Sequence, residues 1–310
     1  MKKVTVIGGG TGTYTILRGL KNYNIDITAI VSMSDNGGST GILRDEFGIL
    51  PPGDIRKCIV ALSESSEIMK KLFEYRFNKG FINGHSLGNL LLTALEDITG
   101  SYDNAIKYAS KILNIKGNVI PVTLSNCQLH AILENGQVIK GETNIDIPKH
   151  NANIKIKNVY LNPESEANPE AIKKIKESDL IIIGPGDLYT SIIPNLLVKG
   201  ITEAIKESKA KKVYVCNIMT KYGETNNFKL SDFIETIEQY LGKNVIDYVL
   251  ANNGKLDKNI LKMYEQEKSF PVDINKSSNK IILKDLVSRN NLARHDPEKT
   301  AKAILSEPFI

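Results

Sequence analysis

The sequence predicts an α/β protein with a Rossmann-like, doubly wound and mostly parallel sheet, interrupted by a helical insertion and a β-meander insertion. Three observations carry this. Apolar runs of strand length alternate with segments of helical period. The runs are rich in Val and Ile without polar alternation, as strands covered on both faces require. A glycine cluster, Gly8 to Gly12, joins the first run to the first helical segment.

In chain order, "KVTVIG" (3–8) and "DITAIVSM" (26–33) are the first two strands, with "TYTILRGLKNYN" as the helix between them. The stretch 32–54, "SMSDNGGSTGILRDEFGILPPGD", reads as a glycine-rich loop, stiffened at Pro51-Pro52-Gly53 before Asp54 caps a helix. There Ile55, Cys58, Ile59 and Leu62 recur at i, i+3, i+4 and i+7, and about four consecutive helices fill residues 54–113. "NVIPVTL" (118–124) is a further strand, and residues 125–160 form a meander around a turn at Asn135-Gly136. Asn168-Pro169 opens a helix, and "LIIIG" (180–184), "KVYVCNIM" (212–219) and "IDYVLAN" (246–252) are strands. Ser231 opens a helix, and Asp296-Pro297 opens the last one. With no Gly/Ser tether between these parts, residues 1–310 are expected to form one domain.

The apolar share of 41%, the charged share of 24% and a net charge of +5 spread over scattered lysines describe a globular protein without a nucleic-acid footprint. Three distant cysteines argue against a disulfide framework or a zinc site, and suit a reducing cytoplasm. No segment approaches the ~20 apolar residues of a membrane span, and the N-terminal run is too short for a signal peptide, so a cytoplasmic location is expected.

Four glycine or amide loops at strand ends are the candidate chemistry. Gly9, Gly10, Thr11 and Gly12 form a strand-to-helix turn suited to phosphate, though Thr13 stands where the third glycine of G-x-G-x-x-G would be. Asp35, Asn36, Gly37 and Gly38 follow the second strand, with Asp35 about where a ribose-binding acid is expected. Arg44 could pair with a phosphate, but a local ion pair with Asp45 or Glu46 is the preferred expectation. Gly186 and Asp187 follow a buried strand, and Asn252-Asn253 forms the fourth; Asn217, within "KVYVCNIM", is a further candidate. In open α/β sheets such loops converge on one crevice. In "NGHSLGNLLLTAL", His85 and Asn89 share a helical face that could hold a phosphate or a base edge, with a plain helix cap at His85 the equal alternative. A lone His without further ligands is no zinc site, and neither G-x-S-x-G nor G-x-x-x-x-G-K-[ST] occurs.

On "GGGTGTYTILRGLK", "SDNGGSTGILRDEFGILPPGDIRKCIVALS", "NGHSLGNLLLTALE", "GPGDLYTSIIPNLLV" and "RHDPEK", the chain resembles the gluconeogenesis-factor (YvcK-like) family. That family shares a superfamily with the archaeal-type 2-phospho-L-lactate transferases (CofD-like). The resemblance implies a UDP-sugar ligand such as UDP-N-acetylglucosamine and a role in cell shape and wall-precursor supply during gluconeogenic growth. The transferase relatives imply the alternative, Mg²⁺-dependent transfer of a phospholactyl group from a guanosine diphosphate carrier. By the same resemblance, Tyr264 and Arg294 serve the nucleobase and diphosphate, while the Gly8–Gly12 turn, the Asp35 loop, His85 and Asn89 line the cleft. Asn36 stands where the family often has Asp, which removes a candidate metal ligand, and Asp187 stands where relatives can carry Ser. The expected cofactor is therefore a nucleotide, UDP-sugar or dinucleotide, with Mg²⁺ only for the transferase reading, and no metal ligand or catalytic residue is assigned. A homo-oligomer and a regulatory protein partner stay open.

Overall fold

The structure, a computed structural model, describes residues 1–289 and 292–309. Its ten strands are β1 (Lys3–Gly8), β2 (Asp26–Val31), β3 (Asn118–Pro121), β4 (Gln128–Leu133), β5 (Val138–Lys140), β6 (Ile156–Asn162), β7 (Leu180–Ile183), β8 (Lys211–Val215), β9 (Tyr248–Asn252) and β10 (Ile281–Lys284). Seven of them make one sheet in the order β10-β9-β8-β7-β1-β2-β3, and every pairing in it is parallel. Five consecutive buried residues in β1 and in β2, and four in β7, confirm strands covered on both faces.

The chain runs outward from β1 through β2 to β3, then returns to the other side of β1 and proceeds β7, β8, β9, β10. The switch point therefore lies between β1 and β7, where the loops after the two strands diverge and leave a crevice. Strands β5-β4-β6 form the expected antiparallel insertion, and the connection from β5 to β6 carries a short helical turn, Glu142–Asp146. The helical insertion consists of Pro52–Leu62, Glu67–Glu74, Leu87–Thr99 and Tyr102–Ile112.

Two of the differences from the sequence reading concern the loop after β2 and the sheet edge. Within the stretch expected to be a loop, Gly38–Phe47 is a ten-residue helix ended by Gly48 at φ 68°. Tertiary burial of Leu43 and Arg44 overrides the poor local propensity of "GGSTG". Strand β10 was not anticipated, because its residues are half-buried or exposed and give no apolar run of core character. It is recruited by main-chain pairing at the sheet edge.

Among the described residues, no helix is long and apolar enough to cross a membrane. Cys58, Cys127 and Cys216 are buried free thiols.

Candidate functional site

The carboxyl ends of β1, β2, β7 and β8 open into a cavity of about 660 Å³. Its floor is the meeting of two glycine turns. Gly10 adopts φ +63°, which swings the chain from β1 into the helix Gly10–Leu20, and Gly9 caps that helix with no side chain in the way. A Cβ on Gly12 would run into the Pro185 carbonyl oxygen and lie 2.9 Å from the Gly186 nitrogen, so glycine is what lets the turn after β1 touch the turn after β7. The helix start thus offers backbone N–H groups and the positive end of its dipole to the cavity.

Asp54 binds this floor to the helix Pro52–Leu62. Its Oδ2 accepts from the Gly10 N–H (2.8 Å), and its Oδ1 pairs with the Lys57 ammonium (3.0 Å). The Asp54 charge holds Lys57 above its ordinary pKa despite burial. Asp35 sits beside them, accepting from the Gly37 N–H (2.9 Å). Burial, reinforced by the Asp54 charge, raises its pKa. Arg44 does not pair with Asp45 or Glu46 as expected. Its guanidinium donates to the carbonyls of Asp35 (2.8 Å) and Cys127 (2.9 Å) and so fixes the Asp35 loop from behind.

The opposite wall comes from the antiparallel insertion. Asn36 Oδ1 accepts from both the Thr143 N–H (2.9 Å) and the Thr143 hydroxyl (3.0 Å), docking the turn that carries Glu142 and Asp146. Burial among Asp35, Asp146 and Asp54 pushes Glu142 up to about 9, so its carboxyl is neutral at pH 7. Farther along, the Lys221 ammonium bonds Asp146, Asp187 (2.8 Å) and Glu224 (3.1 Å). Burial opposes the charge on Lys221, but the carboxylates outweigh it and hold its pKa above the ordinary range. Glu224 also accepts from the Tyr189 N–H and the Thr190 hydroxyl (both 3.1 Å), which anchors the π-helical turn Leu188–Ile192 after β7. Burial pushes Glu224 up to about 7 even with Lys221 in contact. The far end of the cavity is less polar, formed by Ile218, Met219, Ala293 and the Tyr264 ring, with Arg294 and His295 beside them.

Of the residues expected from sequence, Gly10, Thr11, Gly12, Asp35, Gly37, Gly38, Gly186, Asp187, Asn217, Tyr264 and Arg294 line this cavity. Gly9 lies just beneath it, against Asp54. Asn36 supports the wall through Thr143 rather than facing the cavity. His85 and Asn89 stand apart from it: His85 Nδ1 meets the Ser39 hydroxyl (3.1 Å), and Asn89 accepts from Arg56 Nε (2.9 Å). The helix there is capped by Ser86, whose Oγ accepts from the Asn89 N–H, so neither the cleft contact nor the His85 cap is what the fold builds. Asn252 is spent on its own turn, accepting from the Gly254 and Leu286 N–H groups (both 3.0 Å). Sequence reasoning missed Lys57, Glu142, Asp146, Lys221 and Glu224. The one available signal was Lys221 and Glu224 at i, i+3 just beyond a strand end.

The donor set bears on the Mg²⁺ that the transferase resemblance implies. The oxygens of Asp146, Asp187 and Glu224 lie within 4.8 Å of one another, the spacing of a cation site. An ammonium belonging to the chain already satisfies all three. The Asp54 oxygens are likewise taken by Lys57 and Gly10. As arranged, these groups do not fit a bound Mg²⁺.

The family model described as 2-phospho-L-lactate transferase CofD matches residues 4–292. The gluconeogenesis factor of Bacillus subtilis is 44% identical over 311 residues, covering 98% of this chain and 97% of that protein. The gluconeogenesis factor of Halalkalibacterium halodurans is 42% identical, covering 98% of this chain and 96% of its own. Among solved structures, a protein of the UPF0052 family from Bacillus halodurans superposes with a TM-score of 0.94 at 41% identity, covering 99% of this chain and all of that one.

Proposed function

This chain belongs to the CofD family, grouping with the proteins named gluconeogenesis factors, and on that premise we propose that it is a regulatory factor that binds a nucleotide sugar. The ligand would be a UDP-sugar such as UDP-N-acetylglucosamine, and the setting cell shape and wall-precursor supply during gluconeogenic growth. One observation carries the binding reading: two glycine turns meet at the sheet's switch point and form the floor of a cavity large enough for a nucleotide.

The cavity is rich in carboxyl groups, which sets where phosphates can sit. The positive end of the helix Gly10–Leu20 and Arg294 are the attractive positions, since Asp54 holds the Gly10 N–H and the Lys57 ammonium. The neutral Glu142 removes one repulsive charge from the opposite wall. Lys221 is neutralised by its own partners and is not free to take a phosphate.

Isothermal titration with UDP-N-acetylglucosamine tests the reading, with UDP-glucose and GDP for comparison. Saturable heat with the UDP-sugars is expected. No heat with millimolar UDP-sugar, together with Mg²⁺-dependent consumption of a phospholactyl guanosine donor, would establish the transferase alternative instead.

A further inference from the structure

The central helix of the helical insertion has a side that no neighbour covers among the described residues. Leu87–Thr99 packs on Pro52–Leu62, Glu67–Glu74 and Tyr102–Ile112, and Gly88, Asn89, Leu92 and Thr93 are its buried residues. At about 100° per residue, Leu87, Leu90, Leu91, Ala94 and Ile98 fall on the opposite side. They are half-buried or exposed, Ile98 at 78%. A helix ordinarily turns charged and polar residues to water on its free side. Here that side is aliphatic, with Asp97 only at its margin.

Apolar surface continues beyond the helix. The chain from Tyr75 to Leu87 folds back as a hairpin, with the Phe77 N–H donating to the His85 carbonyl (2.9 Å) and the Leu87 N–H to that of Tyr75 (2.8 Å). Its turn presents Phe81, fully exposed, and Ile82 beside it. The neighbouring helix Glu67–Glu74 adds Ile68 and Leu72, exposed one turn apart. An apolar surface gathered in this way marks an interaction site.

Two features choose the occupant. Leu87, Leu91, Ala94 and Ile98 are spaced by four, three and four residues, the alternation of a coiled-coil seam. That order reads the same from either end. A second copy running antiparallel therefore sets Leu91 against Ala94 of the partner subunit, large against small, and Leu87 against Ile98 of the partner subunit. A two-fold contact requires such self-complementarity. Charge agrees with it: Glu64 to Ile112 holds six acidic and six basic residues, a net charge of zero, although the whole chain carries +5. A balanced segment does not repel its own copy, and it has no excess of positive charge to draw an anionic lipid or a nucleic acid.

We propose that Leu87–Thr99 is the seam of a two-fold homodimer, pairing antiparallel with the same helix of a second copy. The Phe81 hairpin, at the N-terminal end of the helix, then meets the C-terminal end of the partner's helix. A standard interface takes about 20–30 residues from each side, so the hairpin and the helix Glu67–Glu74 complete what the seam begins. The inner side of the same helix braces the large cavity, where the Asn89 amide donates to Ser39 Oγ (3.2 Å), next to Gly38 in the cavity wall.

The test is sedimentation equilibrium of the full chain from about 1 to 100 μM, on wild type, Ile98→Asp, Phe81→Asp and, as control, Val138→Asp, an exposed apolar residue on β5. Wild type is expected to sediment as a dimer of the 34.3 kDa chain. Ile98→Asp is expected to weaken the dimer at least about 100-fold, because the two-fold buries two unpaired carboxylates, and the control to leave it within about twofold. A wild-type chain that is monomeric throughout, or a dimer that a folded Ile98→Asp protein does not weaken, overturns the proposal. Should that variant not fold, Phe81→Asp decides, with a loss of about 10-fold expected and an unchanged dimer overturning it. The register has its own check. Leu87→Cys with Ile98→Cys should give a disulfide-linked dimer on mild oxidation, whereas Leu87→Cys alone should not, and linkage through that single change would mean parallel pairing and overturn the antiparallel seam.

Discussion

Replacing Lys221 by Met would keep the length and volume of the side chain and remove the single cation shared by Asp146, Asp187 and Glu224. The three carboxylates do not suffer equally. The side chains of Asp146 and Asp187 are 30% and 40% exposed and can turn to water, whereas that of Glu224 is 0% exposed and is tied to the Tyr189 N–H and the Thr190 hydroxyl. Breaking a buried ion pair by removing one partner costs about 3–5 kcal/mol. With two of three partners able to rehydrate, the lower end, about 3 kcal/mol at pH 8, is the expectation. The loss should depend on pH in a fixed direction. Glu224 already titrates near 7 in the folded protein, above the roughly 4.3 of an unfolded Glu, and loss of Lys221 raises it further. Between those values the folded state holds the proton and the unfolded state does not, so stability falls as pH rises. At pH 5 a protonated Glu224 needs no ammonium, and the penalty should shrink to about 1 kcal/mol. Urea unfolding followed by circular dichroism at pH 5 and pH 8, wild type beside variant, measures both numbers. A loss equal at the two pH values, or below about 0.5 kcal/mol at pH 8, would refute the reasoning.

Two further predictions concern the cavity floor and its far end. Gly12→Ala should cost about 1–3 kcal/mol, because the new methyl meets backbone atoms of Pro185 and Gly186 rather than a side chain that can swing away, and a urea midpoint equal to wild type would contradict it. Burial pushes His295 down to about 4, partly opposed by its hydrogen bond to the Cys216 carbonyl. Its unfolded form takes up a proton near 6.5 while the folded form does not, so stability should drop by roughly 3 kcal/mol as pH falls from 6.5 towards 4. His295→Gln should flatten that part of the pH profile, and an unchanged slope would remove His295 as its cause.

The parallel sheet was legible because burial on both faces leaves its mark residue by residue: Val4, Val6, Ile27 and Ile30 are apolar where they stand, whatever their neighbours are. The glycine turns were legible for a similar reason, since the need for glycine at Gly10 and Gly12 is set within a few residues. The acidic wall was not legible. Glu142 and Asp146 reach the cleft only because Asn36 catches Thr143 across 107 residues, and nothing near either partner announces that contact. The same holds for Arg44, whose partners at Asn126 and Cys127 are supplied by the insertion rather than by adjacent acids. The helix Gly38–Phe47 failed for the converse reason, its local signal being misleading until Leu43 and Arg44 are buried.

The walls of the large cavity are drawn from segments as distant as Gly10–Gly12 and Ala293–His295, and the helices Gly10–Leu20 and Pro297–Ile304 press so closely that a Cβ on Gly19 would strike the Pro297 carbonyl. The cavity is therefore complete only when both ends of the chain are packed together. A molecule bound there acts as a seal on the finished fold. At a hundred times its dissociation constant it would add about 2.7 kcal/mol to global unfolding. Amides in the first and last helices would slow their hydrogen exchange together, although neither helix need touch the other's share of the ligand.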